Sequence, residues 1–425
     1  MKFVHAADIH LDSPLRGLEA YEGAPVDEIR GATRRAVENL VELCLGEAAD
    51  LLIIAGDLYD GDWRDYNTGR FFLRQVGRLT REGVRVVWVR GNHDAASTIT
   101  RRLSLPEGAF EFRTRSPETH VIESLGVALH GQSYPKREVL EDLAARYPEP
   151  HGGLFNIGVL HTALDGRVGH DAYAPCGVDR LVSRGYDYWA LGHVHAREIV
   201  HEEPWIVFPG NLQGRHARET GAKGATVVRV DDGVASTPEH HVLDVVRWCD
   251  RAVDVSDAAT ADDVVGRVAE ALRAAVDDAG DRLVAARIRL VGETPVDPIL
   301  RRDRERWLQE IRLCADELAG QVWIERLQLE TQAERASDRG RDVAEPPISD
   351  APITLLAQAL EQQAVDEAWR RKVREQLAPL ESRLPAEYRA LPDAIDFEDP
   401  DSIGRLLDRS TRMLTARLQS LGSEE

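Results

Sequence analysis

The sequence is poor in cysteine and has no long apolar run. Only four of its 425 residues are cysteine, and no two of them form a Cys-x-x-Cys pair. This scarcity argues against a disulfide scaffold or a zinc ribbon and favours a reducing cytoplasm. No segment approaches the roughly 18 consecutive apolar residues that span a bilayer, and residues 1–10 lack the charged and apolar regions of a signal peptide. The sequence therefore predicts a cytoplasmic location and no membrane partner.

An excess of basic residues is also absent. The 53 Lys and Arg residues are outnumbered by 73 Asp and Glu residues, so the formal net charge is -20. This balance counts against a simple basic nucleic-acid binder. However, carboxylates that bind cations add negative charge until the cations are present, and a local groove of Arg can coexist with an acidic surface. The preference for Arg over Lys suits planar contacts with phosphate, although a genomic bias towards Arg is enough to explain it.

The first half of the chain alternates apolar strands with helices, which predicts the α/β fold class. Strands are predicted at residues 3–7, 51–55 and 84–89, and helices at residues 33–45 and 68–80. This βαβαβ order predicts a mainly parallel sheet with helices on its faces. Five later strands lack long intervening helices and predict a second, mixed sheet packed behind the first: 126–130, 155–160, 188–191, 206–208 and 225–230.

The rest of the chain divides into three further regions. After a first domain at residues 1–235, strands and helices alternate over residues 240–332 and predict a small α/β domain with its own core. Residues 333–352 are polar, charged and contain Pro, which is typical of a linker. Residues 353–425 are predicted to be helical. Apolar side chains recur there at helical spacing and predict an intramolecular helical hairpin, beginning with Leu355, Leu356, Ala359, Leu360 and Trp369.

Five short motifs rich in Asp and His share one placement, directly after a predicted strand. In open α/β sheets the carboxyl ends of strands are where ligands bind. Carboxylate oxygen, imidazole nitrogen and amide oxygen form a ligand set that suits Mn, Fe, Zn or Mg and disfavours Cu(I). Together the motifs supply enough ligands for two divalent cations. They are Asp8-Ile9-His10, Gly56-Asp57, Gly91-Asn92-His93-Asp94, His161 and Gly192-His193-Val194-His195.

Spacing within the motifs supports a shared centre. Asp8 and His10 are two residues apart in an extended segment, so both side chains point to one face and can reach one ion. His193 and His195 have the same spacing, although in a tight loop each could face a different ion. Asp57 follows the most hydrophobic strand and is the best candidate to bridge two ions. The glycines of three motifs permit sharp turns and close backbone approach.

Each motif alone has a simpler interpretation. A lone Asp-x-His is more often a surface accident than a ligand pair. Gly91-Asn92-His93-Asp94 could be a plain turn, since Gly, Asn and Asp favour turns. His161 by itself is more often a hydrogen-bonded core residue. The conjunction of five motifs, all at strand ends, favours the metal centre.

This ordered set resembles the calcineurin-like metallophosphoesterase superfamily. Within it the chain is similar to the SbcD-like DNA repair exonucleases, in the YhaO-like branch. The superfamily resemblance covers roughly the first half of the chain. The branch resemblance depends on residues 7–14, 210–216 and 219–224. It implies a two-sheet metallophosphoesterase sandwich flanked by helices, followed by a small α/β capping domain and a helical C-terminal region.

The resemblance also implies ligands and catalytic residues. It implies two divalent ions, with Mn²⁺ preferred and Fe²⁺, Mg²⁺ and Zn²⁺ as alternatives. His93 would be the catalytic histidine beside the scissile phosphate, with Asp94 orienting it. The first ion would be held by Asp8, His10, Asp57 and His195, and the second by Asp57, Asn92, His161 and His193.

One position departs from the family pattern. Many nucleases of this group have Gly-Asp-x-x-His, whereas this chain has Asp60 where the second catalytic His would be. A Gly-rich segment after the last metal motif contains Arg215, His216 and Lys223, which we expect to contact nucleic-acid backbone. The alternative for these three residues is a loop that packs against the second sheet.

The expected function is metal-dependent phosphodiester hydrolysis, as a DNA exonuclease or endonuclease in DNA repair. One alternative is a phosphoesterase for a small nucleotide or a phosphoprotein, and another is a non-catalytic scaffold subunit of a DNA-processing complex. The expected partner is DNA. The resemblance adds a coiled-coil ATPase that docks on the C-terminal helices, and a homodimer stays open.

Overall fold

The chain forms two compact units. The computed structural model describes residues 1–13, 23–60, 66–96, 104–166, 173–318, 321–333 and 367–381, and the positions 395, 399, 402–404, 406 and 410. The first unit comprises the described residues up to Trp248 together with Asp281–Val284. The second comprises Cys249–Gly280 and the described residues from Ala285 onward.

The first sheet of the first unit has a parallel centre. Its strands are β1 (Lys2–Ala6), β2 (Leu51–Ala55), β3 (Arg85–Val89), β4 (Ala109–Glu111), β11 (Gly224–Asp231), β12 (Val234–Ala235) and β13 (Glu239–Val242). The order is β12-β11-β1-β2-β3-β4, and β13 pairs with β11. Strands β1 to β4 are parallel to their neighbours, whereas β11 runs antiparallel to β1. The carboxyl ends of β1, β2 and β3 therefore meet at one edge.

The second sheet is also mixed. Its strands are β5 (Glu118–Ile122), β6 (Val127–Gly131), β7 (Phe155–His161), β8 (Tyr188–Gly192), β9 (Glu198–Glu202) and β10 (Trp205–Phe208). The order is β5-β6-β7-β8-β10-β9. Strands β6, β7, β8 and β10 are parallel, and the two outer strands are antiparallel to their neighbours.

Helices cover the outer face of the first sheet. Helix α1 (Val26–Gly46) and helix α2 (Tyr66–Arg81) bury apolar side chains at helical spacing, which is the pattern of an amphipathic helix on a core. Strand β2 shows why both faces of the sheet are covered. Leu52 and Ile54 pack towards the helices, and Leu51 and Ile53 pack between the two sheets. A strand buried on both faces becomes a continuous apolar run.

The second unit is a smaller α/β structure. Its elements are β14 (Val246–Asp254), α5 (Ala261–Ala279), β15 (Leu283–Thr294), α6 (Asp297–Arg302), α7 (Arg304–Asp316), β16 (Val322–Ala333) and α8 (Glu367–Glu381). The first residues of β14 and β15 belong to the first unit. The strands form the sheet β14-β15-β16, in which Arg287 donates two hydrogen bonds of 2.8 Å to Glu325. Helix α8 packs Trp369, Val373 and Leu377 against the buried Ile403. No helix in the described part of the chain is long and apolar enough to cross a membrane.

The α/β fold class and the two-sheet sandwich are confirmed. Residue 240 lies in β13, which pairs with β11 in the first unit, and the domain bounds 1–235 and 240–332 stay predictions. Residues 334–352 of the predicted linker lie outside the described residues. The same holds for the apolar stripe from Leu355 to Leu360, whereas Trp369 packs in the predicted helical region.

Candidate metal centre

The predicted ligands gather at the carboxyl edge of both sheets. Asp8 follows β1, Asp57 follows β2, and Asn92 begins the short helix α3 (Asn92–Ala96) after β3. From the second sheet, His161 ends β7 and His193 follows β8. The two sheets pack face to face through a shared apolar layer. Side chains far apart in sequence therefore meet at one edge.

Asp8, His10 and His195 form the first group of candidate ligands. Their ligand atoms lie within 4.8 Å of one another. The Nε2 atoms of His10 and His195 are 3.2 Å apart, and His195 Nε2 lies 3.9 Å from Asp8 Oδ1. Both oxygens of Asp8 also accept hydrogen bonds from the His193 backbone, at 3.1 and 3.0 Å. This group contains three of the four residues predicted to hold the first ion.

Asp57, His161 and His193 form the second group, again within 4.8 Å of one another. Asn92 Oδ1 lies 3.0 Å from His161 Nε2 and 3.3 Å from His193 Nδ1. Asn92 is thus placed with this group, as expected for the second ion. Asp57 also faces the first group, since its Oδ2 lies 3.8 Å from His10 Nε2 and 3.4 Å from His161 Nε2. One carboxylate is therefore within reach of both groups.

Backbone geometry at the centre is unusual. Asp8, His10 and Asp57 have φ values of 51°, 45° and 50°, and His193 has a φ of 105°. Non-glycine residues rarely adopt this left-handed region, and each such residue costs about 1–3 kcal/mol. Backbone hydrogen bonds between the loops after β1 and β2 hold this conformation. Asp8 N donates to Gly56 O at 3.0 Å, and His10 N donates to Asp57 O at 3.0 Å.

Glycine is required beside three ligands, as predicted. A Cβ added at Gly91 would lie 2.2 Å from Asp57 Oδ1, and one at Gly192 would lie 1.9 Å from Ala55 O. At Gly56, where φ is 95°, it would lie 2.3 Å from His161 Nδ1. Gly56 and Gly91 therefore allow the backbone to pack directly against ligand side chains, and Gly192 allows it to pack against the backbone of β2.

Neighbouring acceptors orient the imidazoles. His161 Nδ1 donates to Ala55 O at 2.9 Å, and His195 Nδ1 contacts Glu219 Oε1 at 2.6 Å. Because a carbonyl and a carboxylate can only accept, each ring carries a proton on Nδ1, and Nε2 faces the ligand group. Such second contacts set the tautomer of metal-binding histidines in general. The ring orientations fit cation binding.

The electrostatics also fit two cations. Asp8 and Asp57 are 0% and 1% exposed, and buried carboxylates are costly without compensating positive charge. Burial by itself would raise the pKa of Asp57, but the neighbouring His161 ring outweighs it and lowers the pKa. Burial lowers the pKa of His10 to about 3, so this ring is neutral and available as a ligand at neutral pH. Divalent cations supply the positive charge that the carboxylates require.

His93 lies beside the two groups and contacts Asp60. Its Nδ1 is 2.7 Å from Asp60 Oδ1, and its backbone N–H donates to Asp57 Oδ1 at 2.9 Å. Burial works to lower the pKa of His93, but the hydrogen bond to Asp60 and the charge of Asp57 outweigh it and raise the pKa. The protonated ring is thereby stabilised.

Asp94 was predicted to orient His93, but the carboxylate that contacts the His93 ring is that of Asp60. The carboxylate of Asp94 accepts hydrogen bonds from the backbone N–H groups of Leu58, Tyr59 and Gly91, at 2.7–3.0 Å. It therefore braces the loops after β2 and β3, because three backbone donors already surround it. Asp60, at the position where many nucleases of this group have a second catalytic His, contacts the His93 ring.

Arg215 and His216 surround a buried carboxylate, Glu219. Arg215 Nη2 lies 3.4 Å from Glu219 Oε1, and Arg215 Nη1 lies 3.7 Å from Asp60 Oδ2. His216 Nε2 lies 3.6 Å from Glu219 Oε1 and keeps 43% of its side chain exposed. Arg215 is thus brought to the centre, and His216 lies at its rim.

Lys223 has a different position from the one expected for a phosphate contact. It is 7% exposed, and its Nζ donates to the His195 backbone carbonyl at 2.9 Å. Burial also lowers the pKa of this amine. These contacts favour a role in holding the His195 loop, which agrees with the alternative of a packed loop.

Glu219 and Asp60 are the site residues that the sequence reasoning did not assign. Glu219 stands 24 residues after His195, the ring that it contacts. The sequence signal that could have identified Glu219 was its place in the motif Glu219-Thr220-Gly221. The glycine of this motif has a φ of 80°. For Asp60, the sequence signal was a carboxylate at the position where many nucleases of this group have a histidine.

Comparisons with known proteins agree with this centre. A family model described as calcineurin-like phosphoesterase matches residues 1–197, and one described as the middle domain of metallophosphoesterase YhaO matches residues 248–332. Residues 1–197 therefore form a calcineurin-like phosphoesterase domain, and the chain is similar to the YhaO-like branch of that superfamily. The fold of that superfamily implies two divalent metal ions, which the two ligand groups can hold.

Two curated relatives and one solved structure illustrate the range of similarity. The chain is 37% identical over 262 residues to an uncharacterised metallophosphoesterase, YhaO, of Bacillus subtilis (strain 168), covering 61% of this chain and 64% of the relative. It is 29% identical over 237 residues to the DNA double-strand break repair protein Mre11 of Methanopyrus kandleri, covering 50% and 48%. The chain thus spans about half to two thirds of these relatives. A dimetal phosphatase from Danio rerio matches with 10% identity and a TM-score of 0.34, covering 55% and 93%.

Proposed function

We propose that this metal-dependent phosphoesterase hydrolyses phosphodiester bonds of DNA, as an exonuclease or endonuclease in DNA repair in the cytoplasm. The observation that supports it most is the pair of ligand groups joined by Asp57, with His93 beside both. The ligands in the first group are Asp8, His10 and His195, and those in the second are Asn92, His161 and His193, with Asp57 shared. When bound, two divalent cations supply a hydroxide nucleophile at neutral pH and offset the charge of the phosphate oxygens.

His93 is the proposed catalytic acid. Asp60 accepts from Nδ1, so the Nε2–H of the protonated ring is left to donate to the leaving oxygen. The raised pKa of His93 favours the protonated form that such a donor needs. Arg215 adds positive charge between Asp60 and Glu219, from where it favours an anionic substrate.

DNA is favoured as the substrate for two reasons. The curated relative named as a DNA double-strand break repair protein matches half of this chain. The chain also has a second α/β unit and a further helix, which hydrolysis of a free nucleotide or a phosphoprotein does not require. A scaffold role is disfavoured because no ligand of either group is missing.

Mn²⁺ is the proposed native metal, since the mixed Asp, His and Asn ligand set suits it. A coiled-coil ATPase partner is a weaker proposal. Trp369, Val373 and Leu377 already pack against Ile403, so the apolar face of α8 is occupied within the chain. This contact supports the helical hairpin over a docking surface for the ATPase.

The proposal is tested by incubating the purified chain and Mn²⁺ with end-labelled DNA, and separately with a small chromogenic phosphodiester. Asp57→Asn serves as the control for contaminating nucleases, because it removes the shared carboxylate. Cleavage of DNA by the wild type but not by Asp57→Asn is the expected result. Cleavage of the small diester with intact DNA would assign the chain to small substrates.

A further inference from the structure

We propose that Glu219 is a positioning residue for the first ligand group, setting the tautomer of His195 and thereby the affinity for one of the two cations. The inference deepens the proposed function, since it requires a cation at Asp8, His10 and His195. The carboxylate does not face the ligand groups directly. It acts through the opposite side of the His195 ring.

Each oxygen of Glu219 has its own contacts. Oε1 lies 2.6 Å from His195 Nδ1. Oε2 accepts from Asn211 Nδ2 at 2.9 Å and from the Arg215 backbone N–H at 2.7 Å. Glu219 is 7% exposed and Asn211 is 0% exposed. The carboxylate is therefore fixed by two donors on one oxygen and presents the other oxygen to the imidazole.

The backbone of His195 is held by residues of the segment 211–223, which also contains Glu219. Its carbonyl accepts from Asn211 N at 3.2 Å and from Lys223 Nζ at 2.9 Å. Asn211 also forms an isolated bridge with Ala7, the residue before Asp8. The ring and the carbonyl of His195 are thus both tied to the segment that ends β1. With the ring and the carbonyl both held, the tautomer of the His195 imidazole is the property still to be set, and Glu219 sets it.

Arg215 extends this arrangement to the catalytic histidine. Its two terminal nitrogens lie 3.4 Å from Glu219 Oε1 and 3.7 Å from Asp60 Oδ2, and Asp60 contacts His93. One guanidinium therefore lies between the carboxylate that orients a ligand histidine and the carboxylate that orients His93. The orientation of both rings depends on the same loop.

Glutamine at this position separates positioning from packing. In Glu219→Gln, the two donors at Oε2 keep the amide oxygen there, so the NH₂ group faces His195 Nδ1. That amide donates to Nδ1 and moves the ring proton to Nε2, which then cannot bind a cation. Glu219→Ala leaves both tautomers accessible. A residue that only fills space would tolerate the isosteric Gln better than Ala.

The experiment measures Mn²⁺ binding to the full-length chain by equilibrium dialysis, with metal content determined for wild type, Glu219→Gln and Glu219→Ala. Asp244→Asn is the matched control. Asp244 is 2% exposed and bonded to Arg247 at 2.6 Å and Arg282 at 3.0 Å, so its loss breaks a comparable buried ion pair elsewhere in the first unit. Nitrogen-15 histidine spectra of the metal-free proteins report the tautomer of His195.

We expect Glu219→Gln to weaken one Mn²⁺ about 10–100-fold, at least as strongly as Glu219→Ala, and to place the His195 proton on Nε2. Asp244→Asn should bind both ions as the wild type does. The proposal would be overturned if Glu219→Gln bound Mn²⁺ as the wild type does, or if it lost less Mn²⁺ affinity than Glu219→Ala. An equal loss of affinity in Asp244→Asn would overturn it too. Because the dialysis contains no DNA, its result is independent of whether the wild type cleaves DNA.

Discussion

His93 differs from the nearby ligand histidines in how far solvent reaches it. Its side chain is 30% exposed, whereas that of His195 is 17% exposed and those of His10 and His161 are 0% exposed. A ring that holds a cation needs fixed surroundings, while a ring that donates a proton to substrate needs access. The Asp60 contact keeps the exposed ring oriented. This contrast within one site is the physical basis for giving His93 a different role.

Replacing His93 by Ala is expected to lower kcat about 10²–10⁴-fold, the usual contribution of a general acid. Metal content should stay at the wild-type value, because the side chain belongs to neither of the two proposed ligand groups. Turnover of the phosphodiester and metal content are measured on the same preparation. Loss of metal from this variant would make His93 a ligand and remove its proposed role.

His5 gives a test of pH dependence away from the ligands. It is buried, and its ring nitrogens lie 3.1 Å from Tyr188 Oη and 3.1 Å from Leu191 O. Burial lowers its pKa from 6.5 to about 3. Between these pH values the unfolded chain binds a proton at His5 that the folded chain does not. The stabilisation by neutral His5 is therefore complete above pH 6.5 and is lost as the pH falls towards 3.

We expect His5→Gln to remove this dependence. Between about pH 7.5 and about pH 5.5, the wild type should lose about 1.4 kcal/mol of unfolding free energy that the variant retains. Urea unfolding at the two pH values measures the difference. His151→Gln is the control, because His151 is exposed. Parallel losses in all three proteins would show that His5 does not contribute.

The ligands could be predicted from sequence because each follows a strongly apolar strand. The residues that orient them could not. Glu219 meets His195 only after the chain has passed through β9 and β10, and no local pattern encodes that return. Lys223 shows a second limit: a cation in a Gly-rich loop suggests phosphate binding, and the burial of its amine depends on tertiary packing that the local sequence does not encode.

At the scale of elements, burial decides which strands the sequence reveals. Strand β2 is buried at every position and was predicted at its observed bounds. Strand β4 has three half-buried residues, and β9 has four half-buried residues and one exposed residue. Neither has the continuous apolar run or the clear alternation that identifies a strand. They form because neighbouring strands offer them hydrogen bonds.

Helix α5 allows two opposite changes in stability to be tested. Thr260 caps it, accepting from Asp263 N at 3.2 Å in a capping box, and Thr260→Ala should cost about 1 kcal/mol. An added Cβ at Gly266 meets nothing within 4 Å, and Gly266→Ala should stabilise the helix by about 1 kcal/mol. Thermal unfolding of the single and double variants measures both effects. A destabilised Gly266→Ala would mean that this face is packed.

At the scale of the whole molecule, the described ligand groups belong to one of two compact units. The two proposed ligand groups, and a further set of His10, Asp60 and His93 whose ligand-type atoms also lie within 4.8 Å of one another, are all in the first unit. A ligand that binds only the folded state stabilises it by about 2.7 kcal/mol at 100 times its Kd. We therefore expect Mn²⁺ to raise the stability of the first unit and a chelator to lower it.

Hydrogen exchange with and without Mn²⁺ measures this difference along the chain. Protection should rise in segments around residues 8–13, 57–60, 91–96, 161–163 and 193–195, and stay constant over residues 261–318. Asp57→Asn is expected to show no such rise. An equal rise in protection around the ligands and over residues 261–318 would mean that the effect of Mn²⁺ does not come from binding at these ligands.

The pairing of β1 with β11 has a consequence for biosynthesis. Strand β1, which Asp8 follows, is made well before its pairing partner β11, which begins at Gly224, and before His195, which shares a ligand group with Asp8. Such distant contacts form slowly, and domains emerge from the ribosome in order. A nascent chain that ends just before β11 therefore contains every proposed ligand but has an open sheet edge beside β1. The strand that carries Asp8 at its end reaches its final pairing only after β11 has been made.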